Sequence, residues 1–562
     1  MKKLILCSFF LATAVLGFSQ SQRFVMFEEF TQASCGPCAQ QNPAFDALLQ
    51  ANPTKCTSIK YHTNWPGVDP MNTQNPVDVA TRVSYYGVTG VPDAQMDGPA
   101  VTGSSYSGAP ANVTQAMINA EYAVPATFNL SMSHYVTAAN DSMYVTLLGQ
   151  ASEAVNGAMI AQMGIIEKHI HFTSPPGSNG EKDFYNVMKK MVPTATGTAL
   201  STSYETGDYF IVQGSWKLAN VYDLTQLGAV GFIQNNTGKA IQQACNSSTT
   251  PLTMPFNNDV QMMSAFNYST TNCSGSVAPT VKIRNNGNNA VTSMTIKYFV
   301  NNGTPATYTY SGNLATLQET EVSLPAYTFT PLASNTMKIY ADQVNNVSDQ
   351  YAKNDTSTLN FGTTPPTTNY ALFIIHTDKA PGETTWDLKN SAGTVIDAGG
   401  PYTAQSHSYI DTVHLAGPDC YKFTIYDAGG NGICCSNGSG AYQLNTSTGV
   451  PIKQGGNFGY SEFTEIKMDN PAAIEQFEKT SMKVYPNPIN REAKVTFYLM
   501  NPENVVLNLY NSTGQLVRSI NKGSFPAGDQ ECTLDAGSLA TGIYMLRMQA
   551  GHQVHVCKVS VE

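Results

Sequence analysis

The chain has 562 residues, a net charge of −10 and only 12% charged residues. That length implies roughly three to five domains, and the acidic balance excludes a nucleic-acid partner. Sparse charge with abundant Gly and Tyr suits extracellular β-domains better than a cytosolic enzyme.

The first twenty residues, "MKKLILCSFFLATAVLGFSQ", pair a dibasic head with an apolar run too short to span a bilayer comfortably. They predict a secretory signal peptide over 1–20, taking Cys7 with it. No later run reaches eighteen apolar residues, so the mature chain is expected to carry no transmembrane span. Eleven cysteines less Cys7 leave ten in an exported chain, where disulfides are permitted. Sequence neighbours suggest Cys35–Cys38, Cys245–Cys273, Cys420 with Cys434 or Cys435, and Cys532–Cys557, leaving Cys56 unmated.

Residues 21–123 alternate strands and helices: strand "RFVMFEEF", helix "PCAQQNPAFDALLQAN", strand "CTSIKYH", helix "VDVATRVSYYG", and a short helix near "VTQAMINAEY". This is the pattern of an α/β domain with a mixed or parallel sheet. Residues 124–248 alternate apolar and polar residues, as in a β-sandwich, with "EKDFYNVMKKMVP" read as a short helix or an ordered crossover. Residues 252–362 repeat the alternation with Asn-Gly turns, as in an immunoglobulin-like domain. "FGTTPPTTN", 361–369, reads as a linker. Residues 369–468 form a Cys/Gly-rich β module, "DNPAAIEQFEKTS" a second linker, and 482–562 a closing β-sandwich of about seven strands. The fold class is therefore multidomain, α/β followed by all-β.

"CGPC", residues 35–38, carries the chemistry. A thiolate is the nucleophile of disulfide exchange, and unpaired N–H groups at a helix N-terminus stabilise it. The strand-loop-helix order places Cys35 at an exposed mouth and Cys38 one turn in, as the resolving thiol. A zinc clip would need two more ligands at similar spacing; a permanent staple is the structural alternative. Glu29 sits in a strand otherwise carrying Phe24, Val25, Met26, Phe27 and Phe30. Partial burial there would raise its pKa and let it relay a proton. His62, at a strand end, reads as a polar rim residue.

On these residues the head resembles the thioredoxin superfamily. "CGPC" is that family's motif form. Glu29 falls where its members keep a buried acid, Pro43 where they keep a helix-kinking proline, and Val91–Pro92 where they keep a cis-proline facing the cysteines. The resemblance implies catalytic roles for Cys35, Cys38, Glu29 and Pro92, acting on protein disulfide or thiol substrates without a cofactor. Ser34 departs from the pattern, replacing the usual Trp. Over residues 21–248 the chain also resembles outer-membrane-associated proteins of the Bacteroidetes that fuse a thioredoxin-like domain to a β-sandwich.

In the fourth module, "YDAGGNGICCSNGSGAY" could hold calcium on hard oxygens such as those of Asp427 and Asn431; a disulfide-pinned loop is the plainer reading. Its surface aromatics could bind glycan or protein. The tail, "VYPNP" (484–488), "LNLYNSTGQLV" and "LATGIYMLRMQAGHQVHVCKVSVE", resembles the type A sorting domain of type IX secretion. That implies export through the periplasm, a partner in the type IX machinery, removal of the tail, and release or tethering to surface lipopolysaccharide. Two functions from different classes follow: an exported thiol–disulfide oxidoreductase, or a non-catalytic surface adhesin whose head is a scaffold. An extracellular copy of a motif whose potential in thioredoxin is about −270 mV would sit oxidised unless a partner recharges it.

Overall fold

The computed structural model describes residues 21–469, 482–499, 502–550 and 553–562. The expected signal peptide lies outside them, as does the second linker apart from Asp469. The chain divides into two units, residues 1–255 and 256–562, and it is mostly β with a small N-terminal α/β region.

The first unit is built on one eleven-stranded sheet. Strand Val25–Thr31 lies between Cys56–His62, parallel to it, and Asp93–Met96, antiparallel. Helix Gly36–Gln50 leaves the end of Val25–Thr31 through a four-residue loop. Helix Pro76–Tyr86 precedes Asp93–Met96. Because strand side chains alternate, Val25–Thr31 feeds two cores. Val25 and Phe27 pack with Phe45 and Leu49 of the first helix, while Met26 and Phe30 pack with Val79 near the second.

The sheet does not stop at residue 123. Strand Asp183–Val192 joins Cys56–His62 in parallel and pairs antiparallel with Met159–His171. Through Leu227–Asn235 and Ile241–Ser248 the same sheet continues to the strands at 128–151 and 209–217. Asp183–Val192 corrects the expected helix or crossover at "EKDFYNVMKKMVP". Its apolar residues fall at 184, 187, 188, 191 and 192, a spacing that mimics a helical stripe. The cause is a register shift between Met188 and Lys190. Such a bulge breaks the two-residue period, and a central strand needs apolar residues on both faces.

The second unit holds three two-sheet sandwiches, each with its own core. The expected linker at 361–369 is not free chain. Its first residues finish strand Thr356–Thr363, and Pro366–Thr367 pairs with Ser461–Met468. The tail shows seven strands in sheets of three and four among the described residues.

Among the described residues the disulfides are Cys35–Cys38, Cys273–Cys420 and Cys434–Cys435. Three expected pairings are therefore corrected. Cys273 pairs with Cys420, so Cys245 is free and Cys420 has no partner in the Cys434–Cys435 turn. Cys532 and Cys557, on different sheets of the tail, are both free. Burial pushes the Cys56 and Cys245 thiols up to about 12, which makes them poor nucleophiles.

Candidate functional site

Cys35 caps the N-terminus of helix Gly36–Gln50, and the Cys38 N–H points at its Sγ from 3.1 Å. That N–H is one of the donors a helix start leaves unpaired, so a Cys35 thiolate would be stabilised there. The Val91–Pro92 peptide is cis, and the Val91 carbonyl oxygen lies 3.4 Å from Cys35 Sγ on the facing side. The Tyr106 hydroxyl donates to the Pro92 carbonyl. Pro43 lies within the helix.

The expected exposed mouth is not there. Cys35 is only 2% exposed, although Gly36 and Pro37 are open. A loop between strands Met159–His171 and Asp183–Val192 lies over residues 32–35. The Asn179 side chain donates to the carbonyls of Cys35 (3.1 Å) and Gln32 (3.3 Å), and the Ser178 N–H donates to Ser34 Oγ (3.0 Å). Ser34 Oγ in turn donates to the Val68 carbonyl. The fit is close enough that a Cβ on Gly177 would stand 2.1 Å from the Ala33 oxygen. Ser34 is small because the loop passes over it. An indole in its place would collide with the same backbone.

Behind the cysteines lies a buried charge cluster. Glu29 is fully buried, with its Oε2 2.7 Å from Lys60 Nζ, and Lys60 also binds Asp46. Burial outweighs the attraction of Lys60 and raises the Glu29 pKa to about 7. Lys60 is held protonated against its own burial by Glu29 and Asp46. Sequence reasoning found Glu29 but missed Lys60, Asp46, Asn42 and Glu181. A signal existed. Asn42 and Asp46 occupy the buried stripe of the helix with Cys38, Phe45 and Leu49, where apolar residues are expected. Lys60 sits mid-strand in a run buried at every position.

Glu28, one residue away, faces the opposite side. It accepts hydrogen bonds from Arg82, Tyr61 and Tyr86. His62 is not a rim residue: it is 2% exposed, and its Nδ1 lies 2.7 Å from Asp69 Oδ2. Burial works against the Asp69 carboxylate, but His62 and the N–H groups of Ala33 and Met71 outweigh it and keep its pKa low.

In the second unit, Asp427 Oδ2 accepts the Asn431 N–H at 3.0 Å. The two residues expected to ligate calcium are thus brought together, with the carboxylate capping their turn. Cys273, Cys420 and Glu465 also cluster. The two sulfurs are bonded to each other and so are not thiolate ligands, and the Glu465 carboxylate accepts the Cys273 N–H.

Residues 483–562 match the secretion system C-terminal sorting domain, so the chain is exported by type IX secretion to the cell surface or beyond. No helix of the described residues is long and apolar enough to cross a membrane. No curated protein matches the chain. Among solved structures, HBP35 of Porphyromonas gingivalis aligns at 12% identity and TM-score 0.35, over 61% of this chain and 100% of that one. A protein of Agrobacterium tumefaciens aligns at 14% and 0.27, over 42% and 99%. A CARDB domain of Pyrococcus furiosus, in complex with di-metal ions, aligns at 20% and 0.17, over 20% and 94%. None of these three is close enough to carry a functional argument.

Proposed function

We propose that this exported protein is a thiol–disulfide oxidoreductase, with a thioredoxin-like head whose reactive pair is shielded by the loop through Gly177–Asn179. The observation that supports it best is the convergence on one disulfide of a helix-start N–H and the carbonyl before a cis-proline, with a buried acid whose pKa lies near 7 on the strand that leads into it. A bare staple requires none of the three.

Starting from the disulfide, a substrate thiolate attacks Cys35 Sγ and the Cys35–Cys38 bond breaks. Cys38 leaves as a thiolate and takes the proton held by Glu29. A second substrate thiol then displaces Cys35, so two substrate thiols become a disulfide and the pair becomes a dithiol. Exchange with a further disulfide restores the resting state. The residue before Pro92 and the covering loop bound the groove, so the loop must lift before a substrate enters, a gating step of the usual kind. After export, removal of the tail and tethering to lipopolysaccharide or release follow the sorting-domain pattern.

A second reading is a surface adhesin with an inert head. It is favoured by the 2% exposure of Cys35 and by an open pocket in the fourth module lined by Trp386, Tyr402, Tyr409, Asp411 and His414, which suits a glycan ring. The Asp427 turn is there a pinned loop rather than a calcium site. Turnover of a model peptide dithiol by the full chain separates the two. Wild type is expected to oxidise it and Cys35→Ser to be inactive. Equal inactivity of both would establish the adhesin.

A further inference from the structure

The exchange reading leaves Glu29 without its proton once Cys38 has taken it, until reoxidation of the pair returns it. Refilling the acid sooner draws on solvent, yet Glu29 and Cys38 are both sealed from it at 0% exposure. Refilling needs a polar route through the protein.

One small polar cavity adjoins the charge cluster, with room for about one water molecule. Asn42, Asp46, Lys60, His62, Glu181 and Asp183 line it. Lys60 and Asp46 are its inner wall, and Lys60 touches Glu29. The outer wall reaches the surface at Asp183, whose side chain is 47% exposed. Among the described residues, two buried polar atoms of its lining residues lack a hydrogen-bond partner, Asn42 Oδ1 and His62 Nε2, and Glu29 Oε1, beyond Lys60, lacks one as well. Orphaned buried polar atoms are rare and call for a physical cause. A water needs two to four polar partners, and Asn42 and His62 supply two.

The orientation of His62 is fixed. Its Nδ1 hydrogen-bonds the Asp69 carboxylate, which also accepts the N–H groups of Ala33 and Met71 and so serves as an anionic acceptor. With Nδ1 bonded to that carboxylate, Nε2 is the ring nitrogen left for the cavity, and it carries the lone pair whenever the ring holds a single proton. The groups facing it are Asp69 from the following loop, Glu181 from the covering loop, Asp183 from the strand that loop leads into, Lys60 from its own strand and Asp46 from the helix. Glu181 belongs to the same set: its Oε1 accepts from Asn42 Nδ2 at 3.0 Å, and Asn42 also donates to Thr31.

We propose that His62, oriented by Asp69, is the proton port of the dithiol: its Nε2 and one cavity water carry protons from the Glu181–Asp183 rim to Lys60 and Asp46, and so to Glu29. Lys60 gives one proton to Glu29 and regains one from the cavity side, ending as it began. His62 is a positioning residue that acts through Glu29 and does not touch substrate. This rests on the exchange reading, and the route lies on the face of the sheet that carries the cysteine-bearing helix, whose Asn42 and Asp46 line it.

His62→Asn tests it, because the Asn Nδ2 can still donate to Asp69 while the basic Nε2 is gone. With the full chain and a model peptide dithiol, the variant should keep its KM and lose rate by about 100-fold, the low end for a positioned proton-transfer group, with the largest loss above pH 7 and an increased solvent deuterium isotope effect. Glu181→Gln, which leaves the Asp69 pair intact, should show a smaller loss of the same form and covers the case in which His62→Asn does not fold. Unchanged rate and pH profile in both variants, with Glu29→Gln slowed, would overturn the port. The second arm needs no turnover: the nitrogen-15 titration of the His62 ring in the wild-type full chain should move when Glu29 is replaced by Gln. Should wild type prove no faster than Cys35→Ser, the exchange reading falls, and this titration still decides whether His62 and Glu29 share a proton path. An unmoved titration overturns it.

Discussion

Glu28 and Glu29 are neighbours on one strand, both completely buried, with opposite surroundings. Glu28 faces a guanidinium that binds it through both carboxylate oxygens and two tyrosine hydroxyls. Glu29 faces one ammonium, shared with Asp46, and its pKa is raised to about 7. A buried charge persists where donors saturate it, and where they do not, the group takes a proton instead. A two-residue period thus puts a fully bonded carboxyl on one face of the sheet and a proton store on the other, the face that carries the cysteine-bearing helix.

The sharpest way to break the contrast is to remove the partner of Glu28. Arg82→Met leaves a buried carboxylate with only hydroxyl donors, and should cost the N-terminal unit about 3–5 kcal/mol, read as a lowered denaturant midpoint. A cost below about 1 kcal/mol would mean that the tyrosine hydroxyls alone satisfy the Glu28 carboxyl.

The next effect belongs to Glu29. Above pH 4.5 the unfolded chain releases this proton, whereas the folded chain keeps it up to about 7. The native state therefore binds more protons across that window, and this group's contribution to stability falls as pH rises from 4.5 to 7. The fall is on the order of 3 kcal/mol. Glu29→Gln should abolish that slope, so the variant gains on wild type between pH 5 and 8. Parallel curves for the two proteins would place the Glu29 pKa at its ordinary value.

A smaller effect concerns the cover on the Glu29 side. Gly177→Ala sets a Cβ against the Ala33 oxygen and should lift the loop at a cost of about 1–2 kcal/mol. Opening of the disulfide by a small thiol should then become faster. If it does not, the loop is not what limits access to Cys35.

Much of this contrast was legible in the sequence, and its limits have physical causes. "FVMFEEF" shows a strand with two acids among large apolar residues, and "CGPC" ahead of a helix marks the nucleophile. "CTSIKYH" coincides with its strand. The cover over Cys35 was not legible, because it comes from a loop some 140 residues later, and local spacing carries no trace of that contact. Nor was Asp183–Val192, whose bulge gives a strand a helical stripe. His62 looked like a rim residue because its strand ends there, but a crossing segment with Phe184 packs over its ring. The cysteine pairings failed for the same reason: Cys273 and Cys420 are 147 residues apart, and chain proximity favoured nearer mates.

The most direct test is a carbon-13 titration of the glutamate carboxyls in the full chain, with Glu29 assigned by its loss in Glu29→Gln, run on the disulfide and dithiol forms. The account predicts a Glu29 midpoint near 7 that shifts on reduction, as the carboxyl begins to share its proton with Cys38. A midpoint near 4.5 in both forms would contradict it.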